Sequence, residues 1–308
     1  MKPSSAEATW KDILVNGSDL PPTQAVLLQL SEYSGKPVGE VKEIATNSNS
    51  ISKQKWDEAD RSTPEGLRSF YLRNHNWVFG TLSYHARQAE GLIGPTPPLP
   101  VQVAEALKDL PPGRHLDFGC GVGTASLLFG RYGWLLTLAD VSTPLLDFAK
   151  WRTQQAKARA EFVDLNTEDL PANHFDLITA FNTMAHVPNA VSSISQLRKA
   201  LKPDGLLIFD IDARRPAPGD EWFLYQYHYQ VIQQIRSKGF ERLSRIGPMY
   251  VYKRKERTKI DSWTIGVLDL LRYNAITTKL SSLRWWMRGW SKKILAAGVF
   301  GVAFKAPS

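Results

Sequence analysis

The chain has 308 residues, enough for one full domain with additional segments, since a domain takes about 100–200 residues. Its 43% hydrophobic and 22% charged residues are typical of a globular protein and exclude wholesale disorder. The net charge is +8, and residues 251–308 hold 12 of the 38 basic residues but only three of the 30 acidic ones. The longest apolar stretch, residues 294–304, is shorter than the roughly 20 residues of a membrane-spanning helix, so we expect none.

Residues 1–95 have the pattern of helices joined by polar linkers. We predict helices over 23–33, 38–45 and 66–92, with a Ser/Asn-rich break at 47–52. The proline-rich segment 94–100 ends this region, because proline lacks a backbone donor and disfavours helix in the residue before it. The first 95 residues are therefore predicted to form a helical cap ahead of a second domain, residues 96–255.

From residue 101 onward, short apolar strands alternate with helices of about 10–15 residues, a pattern typical of parallel βαβ units covered on both faces. The last two predicted strands flank Gly247-Pro248, which suits an antiparallel pair at the sheet edge. The sequence thus predicts a doubly wound α/β fold with a mostly parallel sheet. The predicted strands are 115–117, 135–140, 161–164, 175–181, 206–212, 240–245 and 249–253, and the helices are 101–110, 124–132, 144–155, 190–201 and 222–237.

Residues 256–308 form a basic, tryptophan-rich C-terminal extension beyond what the α/β domain needs. Within residues 283–295, three tryptophans accompany Arg284, Arg288, Lys292 and Lys293, whose spacing places them near one helical face. Tryptophan is favoured where one end of a side chain is wet and the other apolar. Peripheral contact with a membrane, a lid over an apolar ligand, a dimer contact and packing on the α/β domain all fit, and packing is the simplest interpretation.

The most informative segment is residues 115–124, His-Leu-Asp-Phe-Gly-Cys-Gly-Val-Gly-Thr, a strand that runs into a glycine turn and then a helix. Glycines let the backbone approach a ligand closely, and the helix N-terminus offers unpaired N–H groups, so we expect a nucleotide-like ligand. A dinucleotide-binding turn would have its third glycine at 124, where this chain has threonine, which argues against NAD. Asp140 ends the next strand, where a carboxylate can accept hydrogen bonds from ribose hydroxyls.

This turn and Leu138-Ala-Asp-Val-Ser142 resemble the first two motifs of the class I S-adenosylmethionine (SAM)-dependent methyltransferase family, which has a Rossmann-like fold. Further similar segments follow in the family's order over about residues 101–255. They are Phe162-Val-Asp-Leu165, Phe175-Asp-Leu-Ile-Thr-Ala-Phe-Asn182, His186-Val-Pro-Asn189 and Leu201-Lys-Pro-Asp-Gly-Leu-Leu-Ile208.

The resemblance implies SAM as cofactor, S-adenosylhomocysteine as its product, and a specific role for each matching residue. The methionine part would be held by Asp117, Gly119, Cys120, Gly121 and Gly123, and the ribose by Asp140 with Val141 beside it. The adenine would contact Asp164 and Leu165, and the methyl end would be lined by Phe181 and Asn182.

The methyl group of SAM is already activated, so an enzyme of this family mainly aligns the acceptor, and a general base helps where the acceptor is protonated. His186 is a candidate base because it follows the fourth strand, although it equally suits a role in holding that loop. Tyr84 and His85 are further catalytic candidates on an aromatic helix just before the domain, with His75 and His228 as alternatives. No cluster of ligand-type residues has metal-site spacing, so we expect no metal.

We therefore expect a methyltransferase whose acceptor is a small molecule, lipid-like or a natural product. A peptide or RNA acceptor and a non-catalytic SAM-binding scaffold are the alternatives, and nucleic acid is the weaker one because no RNA-binding module is recognisable. The single cysteine and the absence of an apolar leader-like run at the start favour the cytoplasm. The sequence leaves open the acceptor, the atom methylated and the oligomeric state.

Overall fold

A computed structural model describes residues 5–255 except 61–62, 95, 188–189, 214–222, 226–227, 229–230, 233–234 and 236–237. The chain divides into two compact units at Glu256, and the description below concerns the first of them. The expectations for residues 256–308, including membrane contact and packing, lie outside the described residues and stay predictions.

Within the described residues, six helices precede the first strand. Ser5 starts the first helix, because its side chain accepts a hydrogen bond from the backbone N–H of Ala8, and Thr63 starts the fourth in the same way through Gly66. Prolines at the first or second position begin α2, α4 and α6. The helices are α1 Ala6–Val15, α2 Pro22–Ser34, α3 Val38–Glu58, α4 Pro64–Arg73, α5 Asn76–Ala89 and α6 Leu99–Ala106.

The structure differs in three respects from the helices predicted for residues 1–95. The predicted break at 47–52 is wrong, because α3 continues through it and its polar residues find tertiary partners: the Ser48 hydroxyl donates to the Asn76 carbonyl at 2.9 Å, and Ser52 is hydrogen-bonded to Asn74. The predicted helix 66–92 is two helices, α4 and α5, which separate at the buried Asn74. Helix α1 was not predicted from the sequence.

The sheet confirms the predicted doubly wound α/β fold. Neighbouring strands are parallel from β3 through β2, β1 and β4 to β5, and β7 and β6 complete the edge as an antiparallel pair. The strand order reverses between β1 and β4, the position where ligands bind in open α/β sheets. The strands are β1 Arg114–Phe118, β2 Leu135–Asp140, β3 Ala160–Asp164, β4 Phe175–Ala180, β5 Leu201–Phe209, β6 Phe240–Ile246 and β7 Met249–Arg254, and the helices between them are α7 Thr124–Arg131, α8 Thr143–Gln155 and α9 Ala190–Ala200.

Two differences concern the last part of the sheet. Strand β5 begins at Leu201, five residues before the predicted start, and its pairing with β4 is irregular between Phe175 and Leu177. The helix predicted over 222–237 falls largely on residues outside the description, but residues 223–225 are not helical, whereas 231–232 and 235 are.

The hydrophobic core lies on both faces of the sheet. On one face, Trp10 and Leu82 of the N-terminal helices share a buried cluster with Phe129, Leu138 and Phe148 of the α/β part. On the other face, the buried cluster includes Phe175, Leu197, Phe209 and Tyr252. The N-terminal helices therefore cover one face of the sheet as well as extending toward its carboxyl edge.

Candidate active site

A cavity of about 1790 Å³ opens at the carboxyl ends of the parallel strands, on the side where the strand order reverses. Residues that follow the five parallel strands, together with part of α9, form one wall, and residues from α2 to α5 form the opposite wall. We refer to α2–α5 as the cap. The residues predicted for the cofactor site that line this cavity are Gly119, Gly121, Asp140, Val141, Leu165, Phe181 and Asn182.

The glycine turn after β1 has the backbone form that the sequence predicts. Gly119, Gly121 and Gly123 all have positive φ angles, of 73°, 53° and 73°. Residues with a Cβ atom disfavour this backbone conformation, whereas glycine adopts it readily. A Cβ on Gly119 would collide with the side chain of Thr183, so the close approach of the two loops requires glycine there. At Gly121, no atom lies within 4 Å of the position that a Cβ would take, and this backbone borders open space.

Asp140, at the end of β2, connects the glycine turn to the loop that follows β2. One carboxylate oxygen accepts a hydrogen bond from the Gly121 N–H at 2.9 Å, and the other accepts one from the Ser142 N–H at 2.8 Å. The side chain is buried, and burial raises the pKa of its carboxyl while these backbone donors partly offset that effect. Each oxygen keeps a second lone pair for a ligand, because an ionised carboxylate offers about four acceptor positions.

Three predicted cofactor residues lie behind the cavity surface. The Asp117 carboxylate accepts from the Ser126 hydroxyl at 2.6 Å, and burial raises its pKa to about 6. The Cys120 thiol is buried, and burial raises its pKa, so this thiol is not a reactive nucleophile. Gly123 packs toward Ala149 of α8. These residues support the turn from within and do not face the cavity.

In the loop after β3, one residue supports the loop and another lines the cavity. The Asp164 carboxylate accepts hydrogen bonds from the backbone N–H and the side-chain amide of Asn166, at 2.9 and 2.7 Å, and does not line the cavity. Asn166 does line it, and its amide also donates to the Val141 carbonyl at 2.7 Å, which joins the loops after β2 and β3. Asn166 was not predicted from the sequence; its place directly after the Asp164-Leu165 pair is the signal that could have indicated it.

The loop after β4 forms the end of the cavity nearest the glycine turn. Asn182 has a positive φ of 51°, and its N–H donates to the buried Asp210 carboxylate at 2.7 Å. Burial raises the pKa of Asp210 to about 6. The Thr183 hydroxyl donates to the Phe181 carbonyl at 2.9 Å and lies 3.3 Å from the Gly119 carbonyl. Asp210 and Thr183 were not among the predicted site residues.

His186 lines the cavity at the end of the short 3-10 helix Met184–His186, where its ring lies 4.7 Å from that of Phe223. Its carbonyl accepts a hydrogen bond from the Tyr71 hydroxyl of α4 at 3.1 Å, and the Tyr71 carbonyl accepts one from the Ser142 hydroxyl at 3.2 Å. Tyr71 therefore joins the cap to the loops after β2 and β4. Burial, with a smaller effect of Asp140, raises the pKa of the Tyr71 hydroxyl.

The structure separates the two candidates on α5. Tyr84 lines the cavity and is 42% exposed. His85 points away from it: its Nδ1 lies 3.1 Å from the Thr124 hydroxyl, its ring contacts Trp10 at 5.2 Å, and burial lowers its pKa to about 3. His75 and His228 do not line the cavity either. His85 is thus a packing residue in this structure, because neighbouring helical positions face different sides.

A buried arginine supports the turn from the same side as His85. The Arg152 guanidinium of α8 donates to the Val122 carbonyl at 2.9 Å and to the Thr124 hydroxyl at 2.7 Å, and it reaches the Ile13 carbonyl at 3.5 Å. No carboxylate in the described part of the chain forms an ion pair with it, and burial lowers its pKa to about 10. Arg152 therefore connects the start of α7 to the end of α1.

No group of three or more His, Cys, Asp or Glu side chains within the described residues could hold a metal ion. In the same residues, no helix is both long enough and apolar enough to span a membrane.

A comparison with protein families matches residues 99–245 to a methyltransferase domain family. Among curated proteins, the ubiquinone biosynthesis O-methyltransferase of Xanthomonas campestris is 32% identical over 123 residues, which cover 39% of this chain and 52% of that protein. The Coxiella burnetii enzyme of the same name is 33% identical over 102 residues, 32% of this chain and 43% of its own. The chain thus spans about half the length of these relatives.

Among solved structures, phosphoethanolamine N-methyltransferase 2 of Haemonchus contortus in complex with SAM aligns with a TM-score of 0.46 at 18% identity, over 75% of this chain and 56% of that one. The matched residues include the glycine turn and the wall that the sheet contributes to the cavity. Residues 99–245 match a methyltransferase domain, in agreement with the resemblance to the class I SAM-dependent family that the sequence motifs carry.

Proposed function

We propose that this protein transfers a methyl group from SAM to a small-molecule acceptor. The observation that carries the proposal is the glycine turn joined to Asp140 at the carboxyl edge, which opens into a cavity that the cap also lines. The cavity is large enough for two ligands at once, because a single drug-sized ligand takes about 300–1,000 Å³. A cofactor and an acceptor can therefore meet inside it.

The residues around the turn fit the parts of SAM. Asp140 has lone pairs left for the ribose hydroxyls, and the open space beside Gly121 suits the amino-acid part, which needs close approach to backbone. Val141, Leu165 and Asn166 offer apolar and amide contacts to the adenine. Asp117, Cys120, Gly123 and Asp164 would act on this site by holding the loops rather than by direct contact.

When bound, SAM supplies a methyl group on a positively charged sulfur. In the transfer, the acceptor's lone pair would form the bond to the methyl carbon as the carbon–sulfur bond breaks and leaves its electron pair on sulfur. Alignment accounts for much of the rate of such a displacement. Phe181, Asn182 and His186 border the cavity where the acceptor would meet the methyl group.

His186 is the candidate for receiving a proton from the acceptor. It lies on the wall that follows β4, and its backbone is held by Tyr71. Tyr84 is a candidate acceptor contact on the opposite wall, with its hydroxyl 3.2 Å from the Gln88 amide. His85 is not proposed for the chemistry, because its ring packs between Trp10 and Thr124.

A small-molecule acceptor is favoured over a peptide or RNA because the cap covers the cavity and because the curated relatives named above act, by their names, in ubiquinone biosynthesis.

We further propose a cytoplasmic location, which the single buried cysteine supports. Peripheral membrane contact through residues 256–308 stays a prediction, and salt-sensitive binding to anionic vesicles would reveal it.

The test is titration calorimetry with SAM, S-adenosylhomocysteine and NAD. We expect the first two to bind and NAD not to bind. Asp140→Ala should weaken SAM binding by about 1–3 kcal/mol, the scale of charged hydrogen bonds, whereas Asp147→Ala, which removes an exposed carboxylate of α8, should leave it unchanged. Tighter binding of NAD than of SAM would reject the proposal. Mass spectrometry of a cell extract supplied with methyl-labelled SAM would then identify the acceptor.

A further inference from the structure

The two walls of the cavity differ in the sign of their charged side chains. The charged cavity-lining residues of the cap are Lys42 on α3, Arg68 on α4 and Arg87 on α5, all positive, and the cap adds no carboxylate to this lining. The opposite wall contributes four carboxylates and one cation. These residues are Asp140, Glu168, Asp169, Asp212 and Lys199.

The positions of the cap cations follow from the helix packing. Helices α3 and α5 run antiparallel: Ser48 contacts the start of α5 at Asn76 and Gly80, whereas Ser52, one turn later on α3, is hydrogen-bonded to Asn74, which precedes α5. The C-terminal part of α5 therefore lies beside the N-terminal part of α3. Lys42 and Arg87 consequently lie at the same end of this helix pair.

Helical spacing turns both cations toward the cavity. Lys42 shares its face of α3 with Ala45 and Asn49, and Arg87 shares its face of α5 with Tyr84 and Trp77, all of which line the cavity. Arg68 enters from α4, three residues before Tyr71 on the same helix. Three different helices thus each contribute one positive side chain to the lining of the cavity.

These cations differ from three other lysines of the N-terminal helical region. Lys11, Lys36 and Lys53 each form an ion pair with a carboxylate four residues away along the chain. Lys42, Arg68 and Arg87 form no ion pair with any residue that the structure describes. Because all three are exposed, water solvates them in the free protein, and they are available to a ligand without first breaking an internal contact.

The cap wall also carries an apolar surface for the rest of such a ligand. Leu27, Leu67 and Trp77 of the cap line the cavity together with Leu145 of α8. A ligand with an apolar body and one negative group could bury the former here and place the latter among the cations. The carboxylates of the opposite wall would repel an anion and attract the positively charged sulfonium of SAM. The anionic group of the ligand would therefore face the cap, and the sulfonium would face the opposite wall.

We propose that Lys42, Arg68 and Arg87 bind the negatively charged group of the acceptor, and that the acceptor is a small amphiphilic anion with a carboxylate or a phosphate. This inference rests on the proposed methyl transfer and names its substrate class. The anionic group would face the cap, which leaves the nucleophilic atom to face Phe181 and Asn182.

The test compares probes that share one ring system and differ in charge: 2-naphthoate, 2-naphthyl phosphate, 2-naphthalenemethanol and 2-naphthylmethylammonium. Binding is measured by calorimetry with S-adenosylhomocysteine present. We expect at least one anionic probe to bind about tenfold or more tightly than the alcohol, and the difference to shrink with added salt, because exposed charges are screened. The phosphate-to-carboxylate ratio indicates which anion the acceptor carries.

The matching variants are the triple substitution K42Q/R68Q/R87Q and the control K11Q/K36Q/K53Q, which removes the same amount of charge from the same helical region. The first should abolish the preference for anions, and the second should retain it within about twofold. Equal binding of the alcohol and both anions by the unaltered protein, or an anion preference lost equally in both triple variants, would overturn the proposal. Binding of S-adenosylhomocysteine, measured separately, shows whether the proposed function itself fails.

Discussion

The two walls of the cavity are built on different physical principles. On the sheet wall, the ligand-facing positions are backbone groups and a buried carboxylate, fixed by hydrogen bonds such as that from Gly121 to Asp140. On the cap wall, they are exposed side chains of helices, among them Tyr84 and Arg87. The sheet wall is therefore fixed in shape before any ligand binds, whereas the cap wall can change its chemistry by substitution without altering the fold.

The largest effect expected on the sheet wall comes from Gly119→Ala. The change places a side chain at a φ of 73°, which costs about 1–2 kcal/mol, and adds a collision with Thr183 that costs about 1–3 kcal/mol more. The free energy of unfolding, from urea denaturation, should fall by about 2–5 kcal/mol, and SAM affinity should fall at least tenfold.

Gly35→Ala is the matched control, since Gly35 has a φ of 69° but no atom within 4 Å of the added Cβ. Its free energy of unfolding should fall by only about 1–2 kcal/mol, the cost of a side chain at positive φ, and its SAM affinity should not change. Equal losses in the two variants would mean that the contact between the loops after β1 and β4 contributes nothing.

Arg152→Met should give the next largest effect. The substitution keeps much of the apolar stem but removes the donors to Val122 and Thr124, and hydrogen bonds from a charged group contribute about 1.5–3 kcal/mol. We expect a loss of that size in the free energy of unfolding, with weaker SAM binding. Arg131→Met, which removes an exposed ion pair with Asp12, should cost less than about 1 kcal/mol. A stable Arg152 variant would show that the buried guanidinium is dispensable to the turn.

The buried Asp117 predicts a pH dependence of stability. Burial raises its pKa to about 6 in the folded state, so the folded protein holds this proton more tightly than the unfolded chain, whose pKa is near 4. The group's contribution to stability is complete below about pH 4 and is lost as the pH rises through about 6. In denaturation curves between pH 4 and 7, Asp117→Asn should lose less stability with rising pH than the unaltered protein. Asp147→Asn, at an exposed carboxylate, should follow the unaltered protein; identical slopes in all three would exclude this role.

The smallest expected effect concerns the junction of the two walls. Tyr71→Phe removes the hydrogen bond to the His186 carbonyl and leaves the one from Ser142, so stability should fall by about 0.5–1.5 kcal/mol. SAM affinity should change little, while methyl transfer to the identified acceptor should slow, because the loop that carries His186 loses one support. An equal decrease in SAM affinity and in turnover would place Tyr71 with the sheet wall.

Sequence patterns predicted the sheet wall better than the cap for a physical reason. The glycine turn and Asp140 depend on local backbone geometry, and local geometry leaves a fixed spacing in the sequence. The continuity of α3 depends instead on tertiary hydrogen bonds of Ser48 and Ser52, which have no local signature. For the same reason, the opposite orientations of Tyr84 and His85 required the positions of Trp10 and Thr124.

The twofold attachment of Tyr71 also has a consequence for the exchange of ligands. Its two hydrogen bonds, to the loops after β2 and β4, together stabilise the joined arrangement by about 1–3 kcal/mol. A difference of that size would leave these bonds broken in between roughly one in six and one in 150 molecules at any moment. While these bonds are broken, the loop that carries His186 is no longer tied to α4, and ligand exchange on this side is then limited by the remaining contacts of α4, among them those of Phe70 with Trp56 and Trp77.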